Sequence, residues 1–157
     1  MKHAINLQLN RRLLLTACLG ALTTTAWAAN TLPLVDVWKD PDCGCCEDWV
    51  KHLKLAGFAV QIHTGGNAAK RASVGIPERL GSCHTATVAG YAIEGHVPAK
   101  DIQRLLRDKP QAIGLAVPGM PVGSPGMDGP EYKGRKDPFD VLVLAKNGST
   151  TVFQSYR

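Results

Sequence analysis

Three cysteines lie within four positions in the stretch Asp40-Pro41-Asp42-Cys43-Gly44-Cys45-Cys46-Glu47. An apolar run over residues 34–38, typical of a buried strand, comes directly before it, and residues 47–56 are predicted to form a helix. A cysteine-bearing turn between a strand and a helix places sulfur atoms at the helix N-terminus, where the positive end of the helix dipole favours thiolate over thiol. The stretch therefore predicts a redox or soft-metal centre on a thioredoxin-like scaffold.

The spacing of the thiols bears on which of these two chemistries applies. Cys43 and Cys46 stand in C-x-x-C spacing, which is moderately specific for a dithiol redox site. Cys45 is a third soft donor that a simple dithiol site would not need. Because thiolates select soft ions such as Cu(I), the third cysteine favours a metal site, although zinc would also accept these donors.

The first 28 residues are predicted to be a secretory signal peptide. Basic residues precede a short apolar run, and Ala26-Trp27-Ala28 supplies a cleavage site near Ala28. That run is too short to span a bilayer, and no later segment is long enough. Lipidation at Cys18 is the weaker alternative, since only five residues separate it from Arg12, and Arg11-Arg12 is a weak indication of twin-arginine export.

Charge and length narrow the class of protein further. Residues 1–28 carry three positive and no negative charges, so their removal lowers the formal net charge from +5 to +2. The sequence has no block of Lys or Arg and few aromatic residues, which argues against a nucleic-acid partner. The 157 residues suffice for one domain of ordinary size, and we expect a periplasmic monomer.

Export would place the remaining cysteines in an oxidising compartment, where thiols either form disulfide bonds or take part in chemical reactions. Four cysteines remain after cleavage: Cys43, Cys45, Cys46 and Cys83. Two structural disulfides are the alternative interpretation, but Cys45 and Cys46 are adjacent, and only one clustered thiol could pair with Cys83. A domain of this size also has enough core to fold without such bridges.

The predicted fold class is α/β, thioredoxin-like, with the order β-α-β-α-β-β-α over residues 29–110. Asp42 is the predicted N-cap of the first helix, and Pro98 begins the last one. The predicted strands are 34–38, 58–63, 85–89 and 91–94, and the predicted helices are 47–56, 67–74 and 99–108.

Residues 111–157 are predicted to be a C-terminal extension. Residues 111–138 are rich in Gly and Pro and poor in periodicity, which predicts a long loop covering the metal site. Asn147-Gly148 lies between two apolar runs, 139–145 and 149–155, and predicts a β-hairpin.

Cys83 and His96 are candidate site residues in loops. Cys83 and His84 immediately precede the third predicted strand, in a loop that faces the C-x-x-C turn in a thioredoxin-like fold; a buried free cysteine and a capping histidine are the alternative. His96 lies between a strand and a helix and is a weak candidate by itself. His52 and His63 are predicted to be surface residues and are left out of the site.

Met120 and Met127 are the only methionines after residue 28, and each lies beside a Pro-Gly pair. A methionine in a glycine-rich loop lacks the apolar neighbours that usually surround it, and thioethers are soft ligands for Cu(I). The alternative is that both methionines only pack on the domain.

Four segments carry a pattern beyond the cysteine spacing: Asp42-Cys43-Gly44-Cys45-Cys46, Ser82-Cys83-His84-Thr85, Gly90-Tyr91-Ala92-Ile93-Glu94-Gly95-His96-Val97-Pro98, and Gly114-Leu115-Ala116-Val117-Pro118-Gly119-Met120-Pro121. Together they resemble the exported CopG-type copper-resistance family, over about residues 34–157. The resemblance implies a thioredoxin-like domain whose C-terminal extension helps to bind a thiolate-bridged copper cluster. It also implies a role in copper resistance through handling or interconverting Cu(I) and Cu(II).

The resemblance implies roles for individual residues as well. Cys43, Cys45 and Cys46 would be the core copper ligands and Cys83 the fourth thiol, with His96, Met120 and Met127 completing the site. The expected partners are copper ions and periplasmic copper-export components. Two rival hypotheses stay open: a thiol–disulfide oxidoreductase with Cys43 attacking and Cys46 resolving, and a passive metal scavenger without turnover.

Overall fold

The computed structural model describes residues 31–157, so the predicted signal peptide, its cleavage site and Cys18 lie outside the described residues. In that part of the chain, no helix is long and apolar enough to cross a membrane. Seven strands and three α-helices follow one another there: β1 Val35–Lys39, α1 Gly44–Leu55, β2 Val60–Thr64, α2 Asn67–Ser73, β3 His84–Val88, β4 Tyr91–Glu94, α3 Ala99–Asp108, β5 Ala112–Ala116, β6 Phe139–Ala145 and β7 Thr150–Tyr156.

The strands form one mixed sheet in the order β2-β1-β3-β4-β5-β6-β7. β1 and β2 are parallel, as the predicted β-α-β unit requires, and β3 runs antiparallel to both β1 and β4. The tight connection between β3 and β4 passes through Ala89 and Gly90, which both have positive φ. The predicted C-terminal hairpin is present as β6 and β7, which pair antiparallel.

The predicted start of the first helix and its predicted N-cap were both wrong. Helix α1 begins at Gly44 rather than at Glu47, and its N-cap is Cys43 rather than Asp42. Cys45 and Cys46 therefore belong to the first helical turn. The backbone N–H groups of that turn have no hydrogen-bond partner within the helix.

The predicted loop over residues 111–138 was wrong at Ala112–Ala116, which form β5 between β4 and β6. β5 runs parallel to β4, and a β-carbon at Gly114 would lie 1.7 Å from the carbonyl oxygen of Ala92. Glycine at this position lets the two strands approach each other closely. Because glycine is not typical of strands, it also makes β5 hard to recognise in the sequence. Through β5, the C-terminal hairpin continues the same sheet.

Apolar side chains cover both faces of the sheet. On one face, Trp49 and Leu53 of α1 and Ile102 of α3 belong to one buried cluster with Val37 of β1. A smaller cluster on the other face joins neighbouring strand positions to the segment after α2: Ala92, Ala116, Leu144, Ile76 and Leu80. Because each fully buried aliphatic or aromatic side chain contributes about 1.5–3 kcal/mol, the larger cluster stabilises the packing of α1 against β3. Two of the cysteines lie in α1, and the other two directly precede α1 and β3.

Candidate metal centre

Four cysteine sulfurs meet between the first turn of α1 and the residue before β3. The sulfur of Cys83 lies 3.4 Å from that of Cys46 and 3.8 Å from that of Cys45, which in turn lies 3.6 Å from the sulfur of Cys43. All four sulfurs lie within 4.8 Å of one another. The fold thus brings Cys83 to the cysteine-bearing turn from 37 residues away.

Cys43 and Cys46 are joined by a disulfide bond, whereas Cys45 and Cys83 are free thiols. The pair in C-x-x-C spacing is therefore oxidised, and two further thiols lie beside it. The cluster can offer four thiolates when it is fully reduced and two when the disulfide is closed.

A buried ion pair holds the loop that carries Cys83. Glu94 is fully buried, and its Oε1 accepts hydrogen bonds from Arg71 Nε at 2.8 Å and from the backbone N–H of Ser82 at 2.7 Å. Its Oε2 accepts from Thr85 Oγ1 at 2.7 Å, and Arg71 Nη2 donates to the carbonyl of Ser82 at 2.6 Å. The carboxylate of Glu94 thus holds residues on both sides of Cys83. The ion pair of Arg71 and Glu94 was not predicted from the sequence.

Two buried imidazoles contact the thiol of Cys83. His96 Nε2 lies 3.1 Å and His84 Nδ1 lies 3.4 Å from its sulfur. His96 was a predicted site residue, whereas His84 was not included. The sequence feature that could have identified His84 as a site residue is its position directly after Cys83.

Burial sets the protonation of these groups. It lowers the pKa of His84 well below its usual range, assisted by the neighbouring His96, and it lowers the pKa of His96 as well. Both rings are therefore neutral at pH 7, which is the form that binds metal ions. Burial and the nearby Cys45 raise the pKa of Cys83 to about 12, so a metal ion must displace a proton to bind its sulfur.

Lys39, at the end of β1, fixes the turn before the cysteines. Its ammonium group is almost fully buried and donates to the carbonyl of Asp40 at 2.9 Å and to that of Pro41 at 3.3 Å. It also forms an ion pair with Glu47 at 2.9 Å. Sequence reasoning did not single out this lysine, although a lysine at the end of an apolar strand was a visible signal.

The Gly/Pro-rich loop packs over the first turns of α1. A β-carbon at Gly126 would lie 2.5 Å from the carbonyl oxygen of Cys45 and 2.7 Å from the backbone nitrogen of Trp49. The carbonyl of Pro125 accepts a hydrogen bond from His96 Nδ1 at 2.8 Å. Earlier in the loop, the carbonyl of Gly119 accepts a hydrogen bond from Ser82 Oγ at 2.5 Å. The loop is thus anchored to both cysteine-bearing segments.

The two methionines of this loop differ in their surroundings. Met127 is buried, and its sulfur accepts a hydrogen bond from Tyr132 Oη at 3.4 Å. Met120 is half-exposed, in the segment after β5. Their predicted role as metal ligands stays a prediction.

His52 and His63, which were left out of the site, lie away from the cysteines. His52 Nε2 accepts from the backbone N–H of Ala99, and His63 pairs with Asp36.

These features define the chain as a mixed α/β protein with a thiol cluster and two buried histidines that could hold a metal ion. Among solved structures, it is similar to a chain described as copper resistance protein copG, form 2, with 43% identity and a TM-score of 0.74 over 80% of this chain and 99% of the other. Form 1 of that protein shows 44% identity and a TM-score of 0.73 over 80% and 98%. The chain belongs to the CopG copper resistance family, so the resemblance seen in the sequence is confirmed.

Two further comparisons concern sequence alone. Residues 80–127 match a family model described as a protein of unknown function, DUF411. No curated protein matches the chain significantly.

Proposed function

We propose that this protein binds copper as cargo in the periplasm and contributes to copper resistance. The observation that carries this proposal is the meeting of four cysteine sulfurs within 4.8 Å of one another. Such a donor set fits copper, because thiolates favour Cu(I) and can bridge neighbouring ions. The name of the similar solved structures, copper resistance protein, supports the same conclusion.

The strand order supports a thioredoxin-like core over residues 29–110. In β2-β1-β3-β4, the central pair is antiparallel, and α1 begins at the cysteine-bearing turn. Residues 111–157 form an extension that adds three strands to the sheet and a loop over the site. Residues 1–28 act as a signal peptide that exports the chain.

The cluster is also suited to changing the oxidation state of copper. When the dithiol of Cys43 and Cys46 closes to a disulfide, it releases two electrons and two protons. Two Cu(II) ions accept one electron each and become two Cu(I) ions, so the exchange balances. Cys45 and Cys83 stay available as thiol ligands, since they are outside the disulfide.

The test is an anaerobic titration of the fully reduced protein with Cu(I), with bound copper counted by elemental analysis. We expect several copper ions per chain and a sharp loss of bound copper in Cys45→Ser. Asp48→Asn is the matched control, because Asp48 lies on the same helix and, among the described residues, forms its ion pair with the exposed Lys51. Full copper retention in Cys45→Ser would contradict the proposal.

The Cys43–Cys46 disulfide favours a second candidate, a thiol–disulfide oxidoreductase acting on other proteins. In that case, Cys43 is the attacking thiol and Cys46 the resolving one. This candidate predicts disulfide reductase or isomerase activity without metal, unchanged in Cys45→Ser. Activity that requires Cys45 and copper would instead favour the copper-binding function.

A further inference from the structure

A lysine occupies the position at which strand β1 reaches the cysteine-bearing turn. Val35, Val37 and Lys39 lie on the same face of the sheet, since side chains alternate along a strand, and all three are buried. The two valines belong to the larger core cluster, whereas Lys39, which is 2% exposed, places an ammonium group beside it. We propose that this buried positive charge raises the reduction potential of the Cys43–Cys46 disulfide and so favours the dithiol form of the pair. This inference rests on the redox exchange in the proposed function and names a residue that regulates it.

The charge lies against the turn that carries the first cysteine. Lys39 Nζ and the backbone N–H of Cys43 donate to the same acceptor, the carbonyl oxygen of Asp40, at 2.9 and 3.3 Å. A second bond from Nζ, to the carbonyl of Pro41 at 3.3 Å, holds the ammonium group inside the turn. Cys43 is the N-cap of α1, and Cys46 lies in its first turn. The charge of Lys39 therefore adds to the positive end of the helix dipole, which also favours negative charge on these sulfurs.

Lys39 also lies beside the other cysteine-bearing segment. In the antiparallel pair of β1 and β3, Lys39 is directly opposite His84, so the two side chains share one face of the sheet. His84 Nδ1 in turn lies 3.4 Å from the sulfur of Cys83. Lys39 is thus adjacent both to the turn before α1 and to the start of β3, the two segments that meet at the cysteine cluster.

The ion pair of Lys39 and Glu47 does not cancel this charge. Glu47 Oε1 lies 2.9 Å from Nζ, but the side chain of Glu47 is 49% exposed and that of Lys39 only 3%. Water screens the exposed carboxylate more than the buried ammonium group, so the pair as a whole leaves a positive potential at the cluster. A buried charge is costly even when it is paired, which makes stability alone a weak reason for a lysine at this core position.

The chemistry of reduction explains the direction of the effect. Reduction breaks the bond between the sulfurs of Cys43 and Cys46. Two thiols of a reductant supply the pair with two electrons and two protons and become a disulfide themselves. A sulfur of the reduced pair that then loses its proton to water carries a negative charge, whereas the disulfide carries none. A nearby cation therefore stabilises the reduced form selectively, and the reduced form is the one that offers all four thiols to Cu(I).

The test uses the metal-free full chain in which serine replaces every cysteine outside the C-x-x-C pair. This protein is equilibrated anaerobically with mixtures of reduced and oxidised glutathione at pH 7, and the disulfide fraction is measured by alkylation and mass spectrometry. Lys39→Gln should lower the equilibrium constant for reduction about tenfold, the effect of a unit charge roughly 10 Å away at an effective dielectric constant of about 20. A tenfold change corresponds to about 30 mV for this two-electron couple.

Glu47→Gln separates an effect of charge from an effect of structure. Loss of the carboxylate leaves the ammonium group uncompensated, so the equilibrium constant for reduction should rise, opposite to the change in Lys39→Gln. If the ion pair only held the turn, loss of either partner would shift the constant in the same direction. Lys39→Arg retains the charge and should restore most of the constant. The matched control is Lys51→Gln, which removes an exposed lysine of α1 and should leave the constant unchanged.

An unchanged equilibrium constant in Lys39→Gln, or shifts of the same sign in Lys39→Gln and Glu47→Gln, would overturn the inference. If Lys39→Gln does not fold, Glu47→Gln decides alone: a higher constant supports the inference, and an unchanged or lower constant overturns it. The measurement contains no copper and is independent of the Cu(I) titration of the reduced parent protein. Cu(I) uptake with an unshifted potential would refute only the role of Lys39, whereas a shifted potential without Cu(I) uptake would refute the proposed function.

Discussion

Gly126 lies against Cys45 so closely that a β-carbon at position 126 would be 2.5 Å from the carbonyl oxygen of Cys45. Gly126 also has φ of +84°, a conformation that residues with a side chain rarely adopt. The loop therefore reaches the first turn of α1 only because position 126 has no side chain. This contact links the extension to the cysteine cluster.

Gly126→Ala is expected to displace this loop and to lower the free energy of unfolding by more than about 1 kcal/mol, because strain and a steric clash add. Alkylation of Cys45 and Cys83 should become faster as the loop opens. Both effects are measurable, by urea unfolding and by mass spectrometry of alkylated protein.

The control for this prediction is Gly134→Ala. Gly134 has a similar φ of +75°, but a β-carbon there would meet nothing within 4 Å. The difference between the two variants isolates the contact with Cys45. Equal alkylation rates in the two variants would show that the loop does not shield the thiols.

The ion pair of Arg71 and Glu94 gives a second prediction. Glu94→Gln leaves the guanidinium of Arg71 buried without a charged partner, and removing one partner of such a pair costs about 3–5 kcal/mol. Urea unfolding measures the loss, and the exposed pair of Asp48 and Lys51 provides the control through Asp48→Asn, which should change stability far less. A small effect of Glu94→Gln would mean that the loop carrying Cys83 is held by its other contacts.

The buried imidazoles predict how stability depends on pH in the metal-free protein. Burial lowers the pKa of both His84 and His96, so below about pH 6.5 the unfolded chain binds protons that the folded chain does not. Stability should therefore fall as the pH decreases from 6.5, by up to about 1.4 kcal/mol per pH unit for each ring. Urea unfolding at a series of pH values measures this slope. His84→Gln should make it shallower, and an identical slope in that variant would contradict the assignment.

The part of the fold that was predictable from sequence is the part specified by local pattern. The C-x-C-C turn, the β-α-β unit and the Asn147-Gly148 hairpin each lie within a few dozen residues, and helix α3 has the predicted bounds. Strand β5 was missed because Gly114, which its close packing on β4 requires, weakens the apolar alternation that signals a strand.

The candidate site was predictable in its sulfur donors but not in its supporting groups. Cys83 and His84 stood out together as loop residues directly before the predicted strand 85–89, although His84 was not included among the metal ligands, and His96 was a weak candidate by itself. The contact of Arg71 with Glu94 joins residues 23 apart, and no periodicity or spacing in the sequence signals such a pairing. Long-range polar contacts depend on the assembled sheet, and only the structure reveals them.

Lys39 carries the last prediction. Its buried ammonium binds the carbonyls of Asp40 and Pro41 and the carboxylate of Glu47, so it holds the turn from which Cys43 projects. Lys39→Gln should lower the free energy of unfolding by about 1.5–3 kcal/mol, the range for hydrogen bonds to a charged group. It should also speed hydrogen exchange at the backbone N–H of Cys43, which donates to the carbonyl of Asp40 at 3.3 Å.

Lys51→Gln provides the comparison for Lys39, because Lys51 is an exposed lysine that pairs with Asp48 on the surface of α1. Its substitution should leave both unfolding and exchange at Cys43 almost unchanged. If Lys39→Gln lowers stability without faster exchange at Cys43, the lysine stabilises the protein globally but does not hold the turn. Faster exchange at Cys43 in Lys39→Gln alone would identify Lys39 as the residue that positions the first thiol of the cluster.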